Sequence, residues 1–323
     1  MDLLSPSLPF IYAIQKAREL LLPMQFFSFL GAELFYLALL PLIYWGISRP
    51  LGACIGALLL FSGVINEICK VGFALPRPYW LDASLQRGTE MSFGFPSGHA
   101  QNAFLMWLFL ALGSRKRALW VPLALVLALL ISFSRLYLGV HFPADVIGGA
   151  FIGLVILALA KLGGPAWLRF WRQLSTFQKV FFAVTMTVFL FGIYSMALFR
   201  GTSTYTLGYG NTPSPAFQET LQRSIAGGVI ASRLGAFFGF ICGLAFAARN
   251  VRFEARVPLV QLAPRLMLGF AVLLALYFGL KVVLPNGMIW SFVRYALTTF
   301  WVGYAAPLVF CKMDKRSEKT ITV

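Results

Sequence analysis

Charge is scarce in this chain, and histidine is scarcer. Only 12% of the 323 residues are Asp, Glu, Lys or Arg, about half of the roughly 25% usual in soluble domains. With 59% hydrophobic residues and a mean hydropathy of +0.79, that deficit excludes an ordinary water-soluble globule and points to a membrane protein. Acidic residues are rarer than basic ones, 11 against 27, for a formal net charge of +16. No nucleic-acid motif accompanies the excess, so it reads as loop bias and attraction to anionic lipid headgroups; membrane lipids, not nucleic acid, are the expected partners. Cysteine is sparse: Cys54, Cys69, Cys242 and Cys311 lie in or beside apolar runs without metal-ligand spacing. They read as small buried residues; neither a metal site nor a cofactor is expected, and no glycine-rich nucleotide loop occurs. Residues 1–6 lack the basic region of a signal peptide, and no small-residue cleavage site follows a short apolar core, so none is expected.

What is abundant is the long apolar run. Stretches approaching the roughly 20 residues needed to cross a bilayer fall at 26–47, 51–69, 98–112, 118–133, 146–162, 180–199, 227–248, 266–284 and 288–310. The expected fold is all-α, a polytopic bundle of about nine transmembrane helices. The pattern over 7–22 suits a helix in the interface. Three parts follow: an N-terminal interfacial segment (1–25), a catalytic membrane core (26–162) and a four-span C-terminal extension (163–323). The third, fourth and fifth spans are short because their ends carry polar motifs. Polar groups at membrane depth are tolerated when they line a protein-enclosed or watered cavity, so these ends should converge. With nine spans, the motif loops share a face with the N-terminus. That face takes 11 Lys and Arg against 16 on the other, so the positive-inside rule puts the motifs on the extracytoplasmic side, periplasmic or lumenal.

Both histidines sit among residues that bind phosphate. Lys70 is followed after six residues by Arg77-Pro78; Pro96-Ser97-Gly98-His99 comes next; then Ser134-Arg135, five residues, His141, three residues, Asp145. Imidazole titrates near neutrality and serves as nucleophile, acid or base. Asp145 lies one helical turn after His141, on the same face, where a carboxylate can hold the far ring nitrogen. Lys70, Arg77 and Arg135 supply charge for phosphoryl oxygens, with arginine contributing a planar fork. Ser97 and Gly98 precede a helix whose free N–H groups favour an anion, and His99 is placed to pass protons.

These three strings resemble the complete signature of the type-2 phosphatidic acid phosphatase and vanadium haloperoxidase superfamily, over about residues 50–162. The resemblance implies a metal-independent phosphohydrolase acting through a phosphohistidine. His141 would be its nucleophile, Asp145 the orienting partner and His99 the proton donor; Lys70, Arg77, Ser97, Gly98 and Arg135 would bind phosphate. Arg77-Pro78-Tyr79-Trp80 and the span count also resemble the glucose-6-phosphatase branch, but Asp145 matches the lipid phosphatase pattern. Aromatics over 79–95 suit insertion at headgroup level, so a phosphorylated lipid is the expected substrate. A sugar-phosphate phosphatase, a phosphotransferase using the same intermediate, a haloperoxidase and a transporter of phosphorylated lipid are the alternatives.

Other polar residues read as structural. Glu67 lies three residues before Lys70, a spacing that suits a helical pair. Glu33 interrupts the first span, and Arg233 and Arg294 interrupt the seventh and ninth, where intramembrane charge is either a functional-site candidate or snorkels or pairs with Glu33 or with the other arginine. Gly148, Gly149, Gly235, Gly239 and Gly243 suit close helix packing.

Overall fold

A computed structural model describes residues 7–208, 215–251 and 253–321. Residues 1–6 and Arg252 of the basic face lie outside the described residues. Those described are helical, without strands: α1 (Leu8–Gln15), α2 (Leu21–Phe29), α3 (Glu33–Leu42), α4 (Arg49–Phe73), α5 (Pro78–Leu81), α6 (Gly98–Gly113), α7 (Arg117–Tyr137), α8 (Pro143–Gln173), α9 (Thr176–Gly208), α10 (Pro215–Ile225), α11 (Gly228–Asn250), α12 (Leu259–Leu274), α13 (Leu280–Val283), α14 (Met288–Phe300) and α15 (Ala306–Ile321).

The chain is a multi-pass membrane protein. Seven helices are long and apolar enough to cross a bilayer, and the pair Arg18–Phe29 and Glu33–Ile47, bent by 47°, makes eight when taken as one span. The remaining predicted span is α6, whose 16 residues reach only about 24 Å. It is short for the reason its composition implies: it begins in the polar Ser97-Gly98-His99 string.

The chain divides into two compact units. The first comprises Met1–Tyr36, Ser62–Gly164 and Gly192–Ile225 and contains all three motifs. Within it α7 packs against both α2 and α6. Close approach of α8 to α6 depends on glycine: a Cβ at Gly149 would lie 2.3 Å from the Ser97 carbonyl oxygen, and one at Gly153 2.3 Å from that of Gln101. Buried amides tie α4 to α6, with Asn66 Nδ2 donating to Gln101 Oε1 at 2.9 Å and Gln101 Nε2 to the Ser62 carbonyl at 2.8 Å. Such partners are what keep polar side chains at membrane depth. One face of α1 docks on protein: Ile11 is buried with Leu85 and Phe142, and Gln15 Nε2 donates to the carbonyls of Leu85 and Tyr137 at 2.9 and 2.8 Å.

The second unit comprises Leu37–Phe61, Pro165–Phe191 and Ala226–Val323. Here α11 lies against α14, with Gly235 and Gly239 facing the backbone oxygens of Phe292 and Ala296, as small residues at a helix interface permit. Trp45 anchors an aromatic cluster with Phe270 and Phe310 and donates Nε1 to the Val302 carbonyl at 3.0 Å. Arg294 donates to Ser291 Oγ at 2.9 Å, and buried Arg265 pairs with Asp314 at 2.5 Å.

Candidate active site

Helix ends of the first unit position the motif residues. Lys70 lies in the last turn of α4, which stops at Ala74, a non-glycine residue in the left-handed region with φ 48°. The Lys70 ammonium donates to the Phe93 carbonyl at 2.5 Å. Glu67, the partner expected from helical spacing, interacts with Lys70 electrostatically, while a main-chain acceptor in the loop takes the ammonium's hydrogen bond. Arg77 precedes Pro78 at the first position of α5. Its fork is fully used: Nε donates to the Ser92 carbonyl (2.6 Å), Nη2 to Ser92 Oγ (2.9 Å) and the Phe93 carbonyl (3.1 Å), and Nη1 to the Val140 carbonyl (2.7 Å). Nη1 also meets His141 Nε2 at 3.3 Å.

Ser97 caps α6, its Oγ accepting from Ala100 N at 3.5 Å, and its own N–H donates to the Asp145 carbonyl at 2.9 Å. That bond joins the starts of α6 and α8. Gly98 follows at the first position of α6, where a Cβ would approach Asn66 Oδ1 at 3.0 Å. His99 comes next, its ring against Gly31, where a Cβ would lie 2.7 Å from the imidazole Cδ2.

Asp145 sits in the first turn of α8. Its Oδ2 accepts from the Phe142 N–H at 2.8 Å, the back-bond of a capping box, and lies 3.3 Å from His141 Nδ1. The same carboxylate oxygen thus caps the helix and faces the imidazole, directing His141 Nε2 towards Arg77. His141 is 2% exposed. Burial pushes its imidazole well below the ordinary value, and Arg77, Lys70, Arg135 and His99 push it the same way, so the ring is neutral at physiological pH. Gly139, with φ 70°, makes the bend between α7 and this segment; a Cβ there would lie 2.0 Å from the Leu85 carbonyl.

Arg135, in the last turn of α7, donates Nη1 to Ser28 Oγ and Nη2 to Glu90 Oε1. Its Nε is buried without a protein acceptor among the described residues. The structure thus brings Lys70, Arg77, His141 and Asp145 into one contiguous hydrogen-bonded group. Arg135 and His99 join it electrostatically, since Glu90 interacts with Arg135, His99, Arg77 and Lys70 together.

Glu90 escaped the sequence reading. Burial opposes ionisation of its carboxyl, but Arg135, His99, Arg77 and Lys70 outweigh that and hold it at about 2. The available signal was compositional: between Asp82 and Asp145 it is the sole acidic residue, in a stretch flanked by the cationic motifs. Phe217 escaped too. It is buried on α10, its ring 5.4 Å from that of Phe93, the residue whose carbonyl receives Lys70 and Arg77.

The first unit of this helical membrane protein thus holds an imidazole–carboxylate pair inside a buried set of Lys and Arg side chains. Comparison with known proteins gives the family. Residues 51–169 match the PAP2 superfamily, and residues 231–318 match the transmembrane extension of PAP2 superfamily phosphatases. Phosphatidylglycerophosphatase B of Bacillus subtilis (strain 168) is 34% identical over 145 residues, 41% of this chain and 69% of that protein. Sphingosine-1-phosphate phosphatase 2 of Mus musculus is 30% identical over 149 residues, 44% of this chain and 41% of that protein. A crystal structure of a transmembrane PAP2-type phosphatidylglycerolphosphate phosphatase from Bacillus subtilis aligns at 28% identity over 49% of this chain and 83% of that one, with a TM-score of 0.43. The chain belongs to the PAP2 superfamily. It spans about two fifths of the length of the sphingosine-1-phosphate phosphatase it matches.

Proposed function

We propose that this protein is a membrane phosphohydrolase that cleaves a phosphate monoester or diphosphate of a lipid through a phosphohistidine. The observation that carries the reading is the buried His141, its Nδ1 3.3 Å from Asp145 Oδ2 and its Nε2 3.3 Å from Arg77 Nη1. Neutral His141 attacks phosphorus through Nε2, and the Nδ1–H, held by Asp145, bears the developing positive charge. Lys70, Arg77 and Arg135 neutralise the charge of the phosphoryl oxygens, and the Arg135 Nε–H, the Ser97 hydroxyl and the Gly98 N–H donate to them. The P–O bond to the alcohol breaks as His99 gives the departing oxygen a proton. Water then attacks the phosphohistidine, giving its proton back to His99, and inorganic phosphate leaves with His141 restored. The names of the relatives support a phosphorylated lipid as substrate. On this reading residues 26–162 form the catalytic core, and the excess of Lys and Arg on the opposite face supports an extracytoplasmic site.

The test is His141→Ala in pure, folded protein in detergent, with phosphate release measured on phosphatidic acid, phosphatidylglycerol phosphate and a sphingoid 1-phosphate. Activity is expected to vanish, together with the acid-labile phosphoenzyme that wild type accumulates under rapid quench. Undiminished turnover by the variant refutes the reading.

A further inference from the structure

Besides Asp145, which faces His141, Glu90 brings a second carboxylate among the cations of the site. Orienting an arginine does not require that charge. Arg77 is held on all sides by neutral acceptors, the carbonyls of Ser92, Phe93 and Val140 and the Ser92 hydroxyl. Arg135 is held by the Ser28 hydroxyl and by a carboxylate. A carboxylate here cancels one unit of the positive charge that a phosphate needs, so it disfavours binding of the bare anion.

Where the carboxylate stands indicates what the charge does. The Glu90 side chain keeps 30% of its surface exposed while that of Arg135 keeps 5%, so Glu90 lies on the open side of the arginine. Its carboxylate bonds Arg135 and interacts with His99, Arg77 and Lys70, so it stands where the phosphoryl cations and the side chain assigned to the departing oxygen come together. Because Glu90 is the more exposed partner of Arg135, a group on the alcohol next to the ester bond would come within its reach when the phosphoryl group sits among Lys70, Arg77 and Arg135.

Resting on the phosphohydrolase reading, we propose that Glu90 is a specificity residue that sorts substrates by the charge their alcohol carries beside the phosphate. An ammonium there is accepted, because it replaces the charge that Glu90 subtracts. A second phosphate is disfavoured by like-charge repulsion with the carboxylate. The substrate class favoured is a long-chain amino-alcohol phosphate monoester, with the hydroxy counterpart intermediate and the diphosphate poorest.

The experiment compares kcat/KM of the full-length wild type, Glu90→Gln and Glu90→Asp on three esters of matched chain length: a 2-amino-alcohol 1-phosphate, its 2-hydroxy counterpart and an alkyl diphosphate. Wild type is expected to rank them in that order. Glu90→Gln should lower the amino-to-hydroxy ratio on the order of tenfold and raise the diphosphate-to-hydroxy ratio comparably, as removal of one close charge pair does. Glu90→Asp, which keeps the charge, should keep the order. An equal loss on all three esters in Glu90→Gln would make Glu90 a positioning residue for Arg135 and overturn the proposal. So would a wild type that hydrolyses the three alike, whatever the variants do. A wild type that releases phosphate from none of them overturns the phosphohydrolase reading instead.

Discussion

Substituting Gly149 by alanine tests whether the contact between α6 and α8 sets the geometry of the chemistry. A Cβ at Gly149 would stand 2.3 Å from the Ser97 carbonyl oxygen and 3.2 Å from the Ser97 nitrogen, while ordinary van der Waals contact begins at 3.4 Å. The two backbones must separate by about 1 Å, and a misplacement of that size costs on the order of 10²-fold in rate. Neither side can yield quietly. Ser97 O accepts the first helical bond of α6 from Gln101 N at 3.0 Å, and Ser97 N donates to Asp145 O at 2.9 Å, so a shift moves Ser97 relative to the His141–Asp145 pair. Overpacking of this kind costs about 1–3 kcal/mol, which exceeds the roughly 1 kcal/mol that Gly to Ala returns in a helix interior. Gly163, in the same helix, has nothing within 4 Å of its would-be Cβ, so Gly163→Ala is the matched control and should be neutral or slightly stabilising. The assay pairs kcat/KM for phosphate release with thermal melting in one detergent. Gly149→Ala should lose about 10²-fold in kcat/KM and melt lower, while Gly163→Ala does neither. If the two variants match each other in both measurements, the close approach at Ser97 does not govern the site.

Two further outcomes follow from the same contacts. Because burial and the neighbouring cations hold the His141 imidazole well below its ordinary value, the single-turnover rate of phosphoenzyme formation should stay flat as pH falls through about 6.5, the value of a free imidazole, after correction for the substrate's own titration. A limb at that pH belonging to the enzyme would refute it. The folded protein binds fewer protons here than the unfolded chain, so this contribution to stability is complete above about pH 6.5 and is lost as pH falls below it, a trend thermal melting can follow. Phe217→Ala removes the buried ring that backs Phe93, at a cost of about 3–5 kcal/mol for a large core aromatic. It should raise KM as Lys70 and Arg77 lose their shared acceptor's position, with Phe217→Leu restoring most of the affinity; an unchanged KM would deny α10 any part in the site.

What could be read from the chain was whatever helical periodicity or apolar length dictates. A bilayer demands long helices, so all nine apolar runs fall on helices, with α6 short because it starts in polar residues. Four-residue spacing at a helix start leaves little freedom, and His141 and Asp145 do face one another. The same logic was incomplete at Glu67 and Lys70, where the two charges do interact. Spacing of three along α4 permits a pair, but the ammonium extends past the end of the helix to the Phe93 carbonyl, an acceptor that no periodicity announces.

The parts of the site that were not legible share a physical cause. Phe93 and Val140 act through backbone oxygens, as Ser92 does in part beside its hydroxyl, and since every residue has a backbone oxygen, that use leaves no mark in the sequence. Glu90 and Ser28 reach Arg135 from 45 and 107 residues away, and Phe217 reaches Phe93 from a helix beyond four intervening helices. Apart from Val140 and Ser28, the common element is the loop between α5 and α6: it supplies the acceptor for Lys70, most of those for Arg77 and the carboxylate for Arg135. The signature residues define which charges the site holds, but this loop determines where those charges point. Changes within it should therefore alter which ester is accepted before they alter whether any ester is cleaved. That ordering gives Glu90 a role in choosing the substrate, while the reaction itself stays with His141.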